Sequence, residues 1–198
     1  MYSCAQNLTK STLSKLKSTL LRYFCYRELI LYRFENNDSY YYNQLKNSGF
    51  ELLKAENISA CKFLYESDEK KIVISELQKG SIVYLLHEKN TVSAYACLAS
   101  SKINIGEISA KIEVLDDEVY IYNCFTMPNC RGKGLYTKLL NVIVSDNIDN
   151  SIFIASLKSN KKSISVIEKN NFCFFDKVRF VRLFGIKRMF FNFQRKIE

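Results

Sequence analysis

Thr126-Met-Pro-Asn-Cys-Arg-Gly-Lys-Gly-Leu-Tyr-Thr137 is the stretch on which the reading of this 198-residue chain turns. A β-rich run, Val119–Met127, leads into it, and Pro128 ends that run. From Gly134 to Val144 the apolar residues fall at Leu135, Leu139, Leu140 and Ile143, the spacing of one helix face. A strand therefore passes into a helix through a turn that holds two of the chain's six glycines. Glycine adopts backbone conformations closed to other residues and lets a ligand come close to the main chain. At a helix N-terminus the first N–H groups point outward and the helix dipole adds partial positive charge, so such a turn suits a phosphate or pyrophosphate. Arg131 and Lys133 add full charges. The phosphate loop G-x-x-x-x-G-K-[ST] is absent, and so is G-x-G-x-x-G, because no third glycine follows Gly134. Two glycines alone fit an ordinary strand-to-helix turn equally well.

Working outward, Ser81–Glu88 and Thr91–Ala99 read as strands joined by a Lys89-Asn90 turn. Glu107–Leu115 alternates as a further strand, and Asp116-Asp117-Glu118 reads as a turn. Ser151–Leu157 is a short strand. Ser159–Asn170 is helical, with Ile164 and Ile167 on one side, and Phe172–Phe193 is β-rich and basic. Leu29–Phe34 is strand-like. Residues 38–50 and 51–79 read as helical pieces and loops. Residues 11–24 form a basic amphipathic helix, with Leu13, Leu16, Leu20 and Phe24 on its apolar face. That helix packs on the domain or makes peripheral contact with a membrane surface. The order gives a mixed α/β (α+β type) domain, mostly a meander with one β-α-β unit. Residues 1–35 supply an N-terminal helix and first strand that pack on the main domain, 36–198.

Composition agrees with a globular domain. Apolar residues make up 47% and charged residues 25%, with enough Phe and Tyr for a core. Apolar runs are far too short to span a membrane, and no apolar signal segment opens the chain. The seven cysteines include no C-x-x-C pair, which argues for reduced thiols in a cytoplasmic protein and against a zinc or other metal site. Cys130, next to Arg131 and a helix start, is a candidate reactive thiol. The net charge of +9 sits at the two ends of the chain: residues 1–50 carry +4 and 177–198 carry +6. Nucleic acid or an anionic membrane would be attracted. No nucleic-acid motif accompanies the charge, so a solvated basic face is the better reading.

Arg131-Gly-Lys-Gly-Leu-Tyr136 resembles the acetyl-CoA loop of the GNAT N-acetyltransferases, which reads Arg or Gln, two residues, Gly, one residue, then Gly or Ala. Arg131 and Gly134 match, and Tyr136 stands where Gly or Ala is usual. Asn160-Lys-Lys-Ser163 and Glu168-Lys-Asn-Asn-Phe172 resemble the family's second segment, with Asn171 in place of a Gly. The resemblance covers roughly residues 80–185. It implies a GNAT-like, mostly antiparallel central sheet with splayed fourth and fifth strands and flanking helices. It implies acetyl-CoA as cofactor. Its pantetheine arm would bond the backbone of Cys124, Phe125 and Thr126 like an added strand. Its pyrophosphate would bond the N–H groups of Gly132, Lys133, Gly134, Leu135, Tyr136 and Thr137, beside Arg131. Asn160 would bond the pantetheine amide with help from Ser163, or Asn160 simply caps a helix.

The implied reaction is N-acetyl transfer to a small-molecule amine, by direct attack in a ternary complex. An amino sugar for surface polysaccharide is the closest analogy. Three usual acid or base positions of the family hold Ile167, Ala155 and Tyr120 here. Tyr120, Tyr122 and Tyr136 are the nearest hydroxyls and the catalytic candidates, and Glu113, Asp117 and Glu118 are nearby carboxylates. The lone His87 has no nucleophile elbow to serve. The alternatives are a protein or peptide acceptor, or a non-catalytic domain that binds CoA or nucleic acid. Monomer and homodimer both stay open.

Overall fold

A computed structural model describes residues 24–35, 49–101, 103–105, 110–184 and 186–190. The expected helix over 11–24 lies outside them except for Phe24, as do most of residues 38–50 and the last part of the basic C-terminal run. The strands are β1 (Phe24–Phe34), β2 (Glu51–Ala55), β3 (Ile82–Glu88), β4 (Thr91–Ala99), β5 (Ile103–Ile105), β6 (Ala110–Ile112), β7 (Glu118–Thr126), β8 (Ser151–Leu157), β9 (Phe172–Leu183) and β10 (Ile186–Phe190). The helices are α1 (Asp68–Gln78), α2 (Leu135–Asp146) and α3 (Lys161–Lys169).

Eight strands form one sheet in the order β10-β9-β1-β8-β7-β4-β3-β2, and β5 with β6 makes a separate ribbon. Every neighbouring pair of the large sheet is antiparallel except β7 and β8, which run parallel. Parallel neighbours need a crossover, and α2 provides it. The expected mixed, mostly antiparallel sheet with flanking helices is what the chain forms. β1 lies inside it, between β8 and β9, so a strand from early in the chain separates two from late in it.

The two faces are covered differently. Leu135, Leu139, Leu140 and Ile143 of α2 are buried, as the spacing predicts, and meet Tyr84, Ala96, Ile121, Ile152 and Ile154 of the sheet. Ile167 of α3 joins them, with Ile164 at the margin. Each such side chain contributes roughly 1.5–3 kcal/mol by leaving water. On the other face α1 buries Val73 and Leu77 against Val83, Leu85, Tyr95 and Cys97. α1 starts at Ser67, whose hydroxyl accepts from the Lys70 N–H at 3.1 Å, and Asp68 and Glu69 favour the positive end of its dipole. It stops at Gly80, with φ of 84°, where the Ser81 N–H turns back to the Glu76 carbonyl.

Two expectations change. Glu51–Ala55, expected among helical pieces and loops, is an edge strand on β3, with Ala55 buried in the core. A five-residue strand buried at one end carries too little alternation to be seen. Within the strand expected over Glu107–Leu115, the described residues give β6, paired with β5, and Glu113–Leu115 lie outside any strand. Beyond it Val114 drops into the core beside Tyr120 and Phe153 while Leu115 faces solvent, which ends the ribbon. No helix among the described residues is long and apolar enough to cross a membrane. The six described cysteines are all free.

Candidate active site

β7 and β8 pair only from Glu118 beside Ser151 to Ile121 beside Ile154. Beyond Ile121 the two strands part. Tyr122, Phe125 and Thr126 stay paired to β4, and Ala155, Ser156 and Leu157 stay paired to β1. Between them the sheet has a slot, lined by two strand edges that no strand among the described residues fills. These are the splayed strands that the sequence resemblance implied.

A bulge at Asn123 lies in β7 just beyond the point where the two strands part. Asn123 has φ of 47°, and the register of β7 on β4 slips by one residue there. Asn tolerates the left-handed region better than most residues. The extra residue also reverses the alternation of β7. Tyr122 packs toward the α1 side, and so would residue 124 in a regular strand. Instead Cys124 packs toward α2 and α3, and Phe125 toward α1. Bulges commonly re-aim side chains beside active sites.

The glycine-rich turn closes the end of the slot. Gly132 and Gly134 both have positive φ, of 78° and 72°, and a Cβ on either would meet no neighbour within 4 Å among the described residues. Gly134 is the N-cap of α2, and no side-chain cap is made there among the described residues. The first helical hydrogen bond runs from the Lys138 N–H to the Gly134 carbonyl. The N–H groups of Leu135, Tyr136 and Thr137 therefore precede the ladder. The Arg131 Nε donates to the Thr126 carbonyl at 3.2 Å, tying the turn to the end of β7. Lys133 lies over the ring of Phe50.

On the far wall Asn160 caps α3, its side-chain oxygen accepting from the Ser163 N–H at 3.2 Å. The Tyr136 and Ser163 hydroxyls are 3.4 Å apart, joining α2 to α3. Burial pushes the Tyr136 hydroxyl well above the usual tyrosine value, and Cys124 beside it adds to the shift. It stays a neutral donor throughout the physiological range. Arg131 is thus tied to Thr126 at the end of β7, Tyr136 of α2 to Ser163 of α3, and Asn160 to Leu157 at the end of β8.

The other tyrosines do not share that position. Tyr120 is 2% exposed in the core with Leu29, Leu31 and Phe153. The Tyr122 hydroxyl donates to Glu76 Oε2 at 2.8 Å and meets the Ser81 hydroxyl at 2.5 Å, on the α1 side. Burial and Glu76 hold its proton tightly. Glu118 begins β7, some six residues or about 20 Å from Cys124. Its carboxylate accepts from the Leu115 N–H and caps a turn. His87 packs against Phe63 beside β2.

Glu76 went unread in the sequence. It is 7% exposed, and besides Tyr122 it meets Lys79 Nζ at 2.8 Å and the Asn123 side-chain amide at 3.5 Å, both at Oε1. A signal existed: Val73, Glu76 and Leu77 fall on one face of the helix, so a carboxylate stands in its apolar stripe.

No protein-family model matches the sequence, and no curated protein matches it. Solved structures do match in fold. A GNAT-family structure from Novosphingobium aromaticivorans superposes with a TM-score of 0.51 at 13% identity, over 80% of this chain and 64% of that one. An acetyltransferase from the GNAT family of Colwellia psychrerythraea gives 0.52 at 10% identity, over 85% and 61%. A GCN5-related N-acetyltransferase-like protein from Streptococcus suis gives 0.54 at 9%, over 86% and 67%. The chain spans about three fifths to two thirds of the length of these structures. The chain has the GNAT fold.

Proposed function

We propose that the chain is an acyl-CoA-dependent N-acyltransferase that takes an acetyl group from acetyl-CoA to the amine of a small molecule, an amino sugar being the first to try. The observation that carries this reading is the slot between β7 and β8, closed at one end by the uncapped N-terminus of α2. Open backbone edges suit the amides of a pantetheine arm. Uncapped N–H groups over two side-chain-free glycines suit a pyrophosphate. Backbone groups of Cys124, Phe125 and Thr126 would hold the first, and Gly132–Thr137 with Arg131 the second. Asn160 already caps α3, which leaves its amide NH2 to reach the pantetheine, with Ser163 beside it.

The bound thioester supplies an activated acyl group. The protein must orient it, polarise its carbonyl and handle protons. A backbone N–H near Thr126 is the donor to the carbonyl oxygen. Of the three tyrosines, Tyr136 is best placed to protonate the departing thiolate, since its hydroxyl lies beside Cys124 at the slot. Tyr120 and Tyr122 then serve the core and the α1 side.

Calorimetric titration with acetyl-CoA tests this directly, comparing the native chain with Gly134→Glu. Micromolar binding that the variant loses supports the reading. No heat with acetyl-CoA or longer acyl-CoAs sinks it.

A further inference from the structure

We infer that Glu76 is the binding and proton-accepting group for the acceptor amine, and that the Lys79 ammonium occupies the place of the substrate's. This rests on the transferase reading and adds a residue to it. The two reactants must meet at the slot, and the donor's groups lie on the α2 and α3 side. Tyr136 touches Cys124 from that side. The opposite side of the same strand segment belongs to α1, and Glu76 reaches Tyr122 and Asn123 from there. A buried carboxylate is costly unless it is paired. The two oxygens of Glu76 are paired unequally. Oε2 is fixed by the Tyr122 hydroxyl, which the Ser81 hydroxyl braces in turn. Oε1 meets the bulge residue Asn123 and the exposed end of Lys79. Glu76 has a side chain 10% exposed and Lys79 one 61% exposed, so the cation can leave while the anion cannot. An alkylammonium arriving from solvent satisfies the same oxygen.

The chemistry balances with an acyl-CoA donor. The ammonium gives one proton to Glu76 Oε1, and the neutral amine forms an N–C bond to the acyl carbon. The C–S bond breaks, its electron pair leaves on sulfur, and the sulfur takes a proton from Tyr136. As the amide forms, the second nitrogen proton passes through water to the Tyr136 oxygen, and Glu76 gives its proton to water, so both groups return to their starting states.

Two variants test the assignment, with glucosamine, a lysine-containing peptide and a polyamine as probe amines. Acetyl-CoA binding is followed by calorimetry, amine binding by saturation-transfer NMR, and transfer by chromatography of the CoA released. For Glu76→Gln, which keeps the acceptor for the Tyr122 hydroxyl, we expect acetyl-CoA affinity within about twofold of native and weaker amine binding. Its kcat/KM for the amine should fall about 100-fold. For Lys79→Met we expect the amine KM to fall several-fold, because a competitor is gone; a merely structural ion pair predicts no such fall. Native transfer with Glu76→Gln unimpaired, or a Lys79→Met KM that is unchanged or raised, overturns the assignment alone. Native acetyl-CoA binding without transfer to any probe overturns it together with the transferase reading. No native acetyl-CoA binding removes the ground beneath both.

Discussion

The Tyr136 hydroxyl in the first turn of α2 lies 3.4 Å from the Ser163 hydroxyl in the first turn of α3. The two helix starts therefore converge on one edge of the slot, through a group whose proton burial holds in place. Tyr136→Phe keeps the ring and its packing and removes the proton. We expect kcat to fall by about 10²-fold with acetyl-CoA affinity little changed. Unchanged kcat in steady-state assays would assign the thiolate proton to another group.

The side-chain oxygen of Asn160 caps α3 through the Ser163 N–H. Under the proposed function its NH2 would serve the pantetheine, and the two roles are separable. Asn160→Ala should cost about 1 kcal/mol in denaturant unfolding. Asn160→Asp keeps a capping oxygen and should leave stability near native while weakening acetyl-CoA binding. Equal affinity in Asn160→Asp would make this residue a cap only.

The bulge at Asn123 depends on a left-handed backbone, with φ of 47°. Asn123→Gly should leave unfolding free energy within a few tenths of a kcal/mol. Asn123→Val should cost about 1–2 kcal/mol, the usual penalty of that region for a residue with a Cβ. Chemical denaturation of the two variants checks the contrast. Equal stability would mean the strand relaxes out of its bulge.

Glu28 joins β1 to the end of β8 and to β9, through Lys158 Nζ at 2.6 Å, Lys177 Nζ at 3.3 Å and Arg179 Nε at 3.7 Å. The hydrogen bond from Lys158 is the largest influence holding its carboxyl at about 2, against an ordinary value of 4.5. A lowered folded-state value means that its stabilisation is present above about pH 4.5 and is lost as the pH falls towards 2. Melting temperatures of the native chain and Glu28→Gln should therefore converge as the pH falls through that window and stay apart above it. A constant difference across the window would deny Glu28 this role.

Much of this was legible because two signals were strong. The stripe Leu135, Leu139, Leu140 and Ile143 located α2, and the turn before it located the slot's end. Long strands such as Thr91–Ala99 showed themselves by length and β-rich composition. The bulge escaped because β7 is apolar on both faces, so an inserted residue breaks no visible pattern; only Asn123 hints at it. Glu76 escaped because its meaning comes from Tyr122 and Asn123, over forty residues away, which no local spacing brings together. β2 was too short to show a period.

The placement of β1 has a consequence for how the protein comes to exist. Its hydrogen-bonding partners on β8 and β9 are synthesised 120 to 159 residues after it, since Arg33 pairs with Phe153 and Phe24 with Leu183. Such remote pairing is slow to form, because loop-closure entropy is lost before the contacts repay it. During translation β1 must wait, with both its edges open, until β8 and β9 have emerged. The half of the site formed by β8 is then the last part to be completed. A nascent chain would be expected to gain the α1, β3 and β4 core first, and the slot between β7 and β8 only when the C-terminal strands clamp around β1.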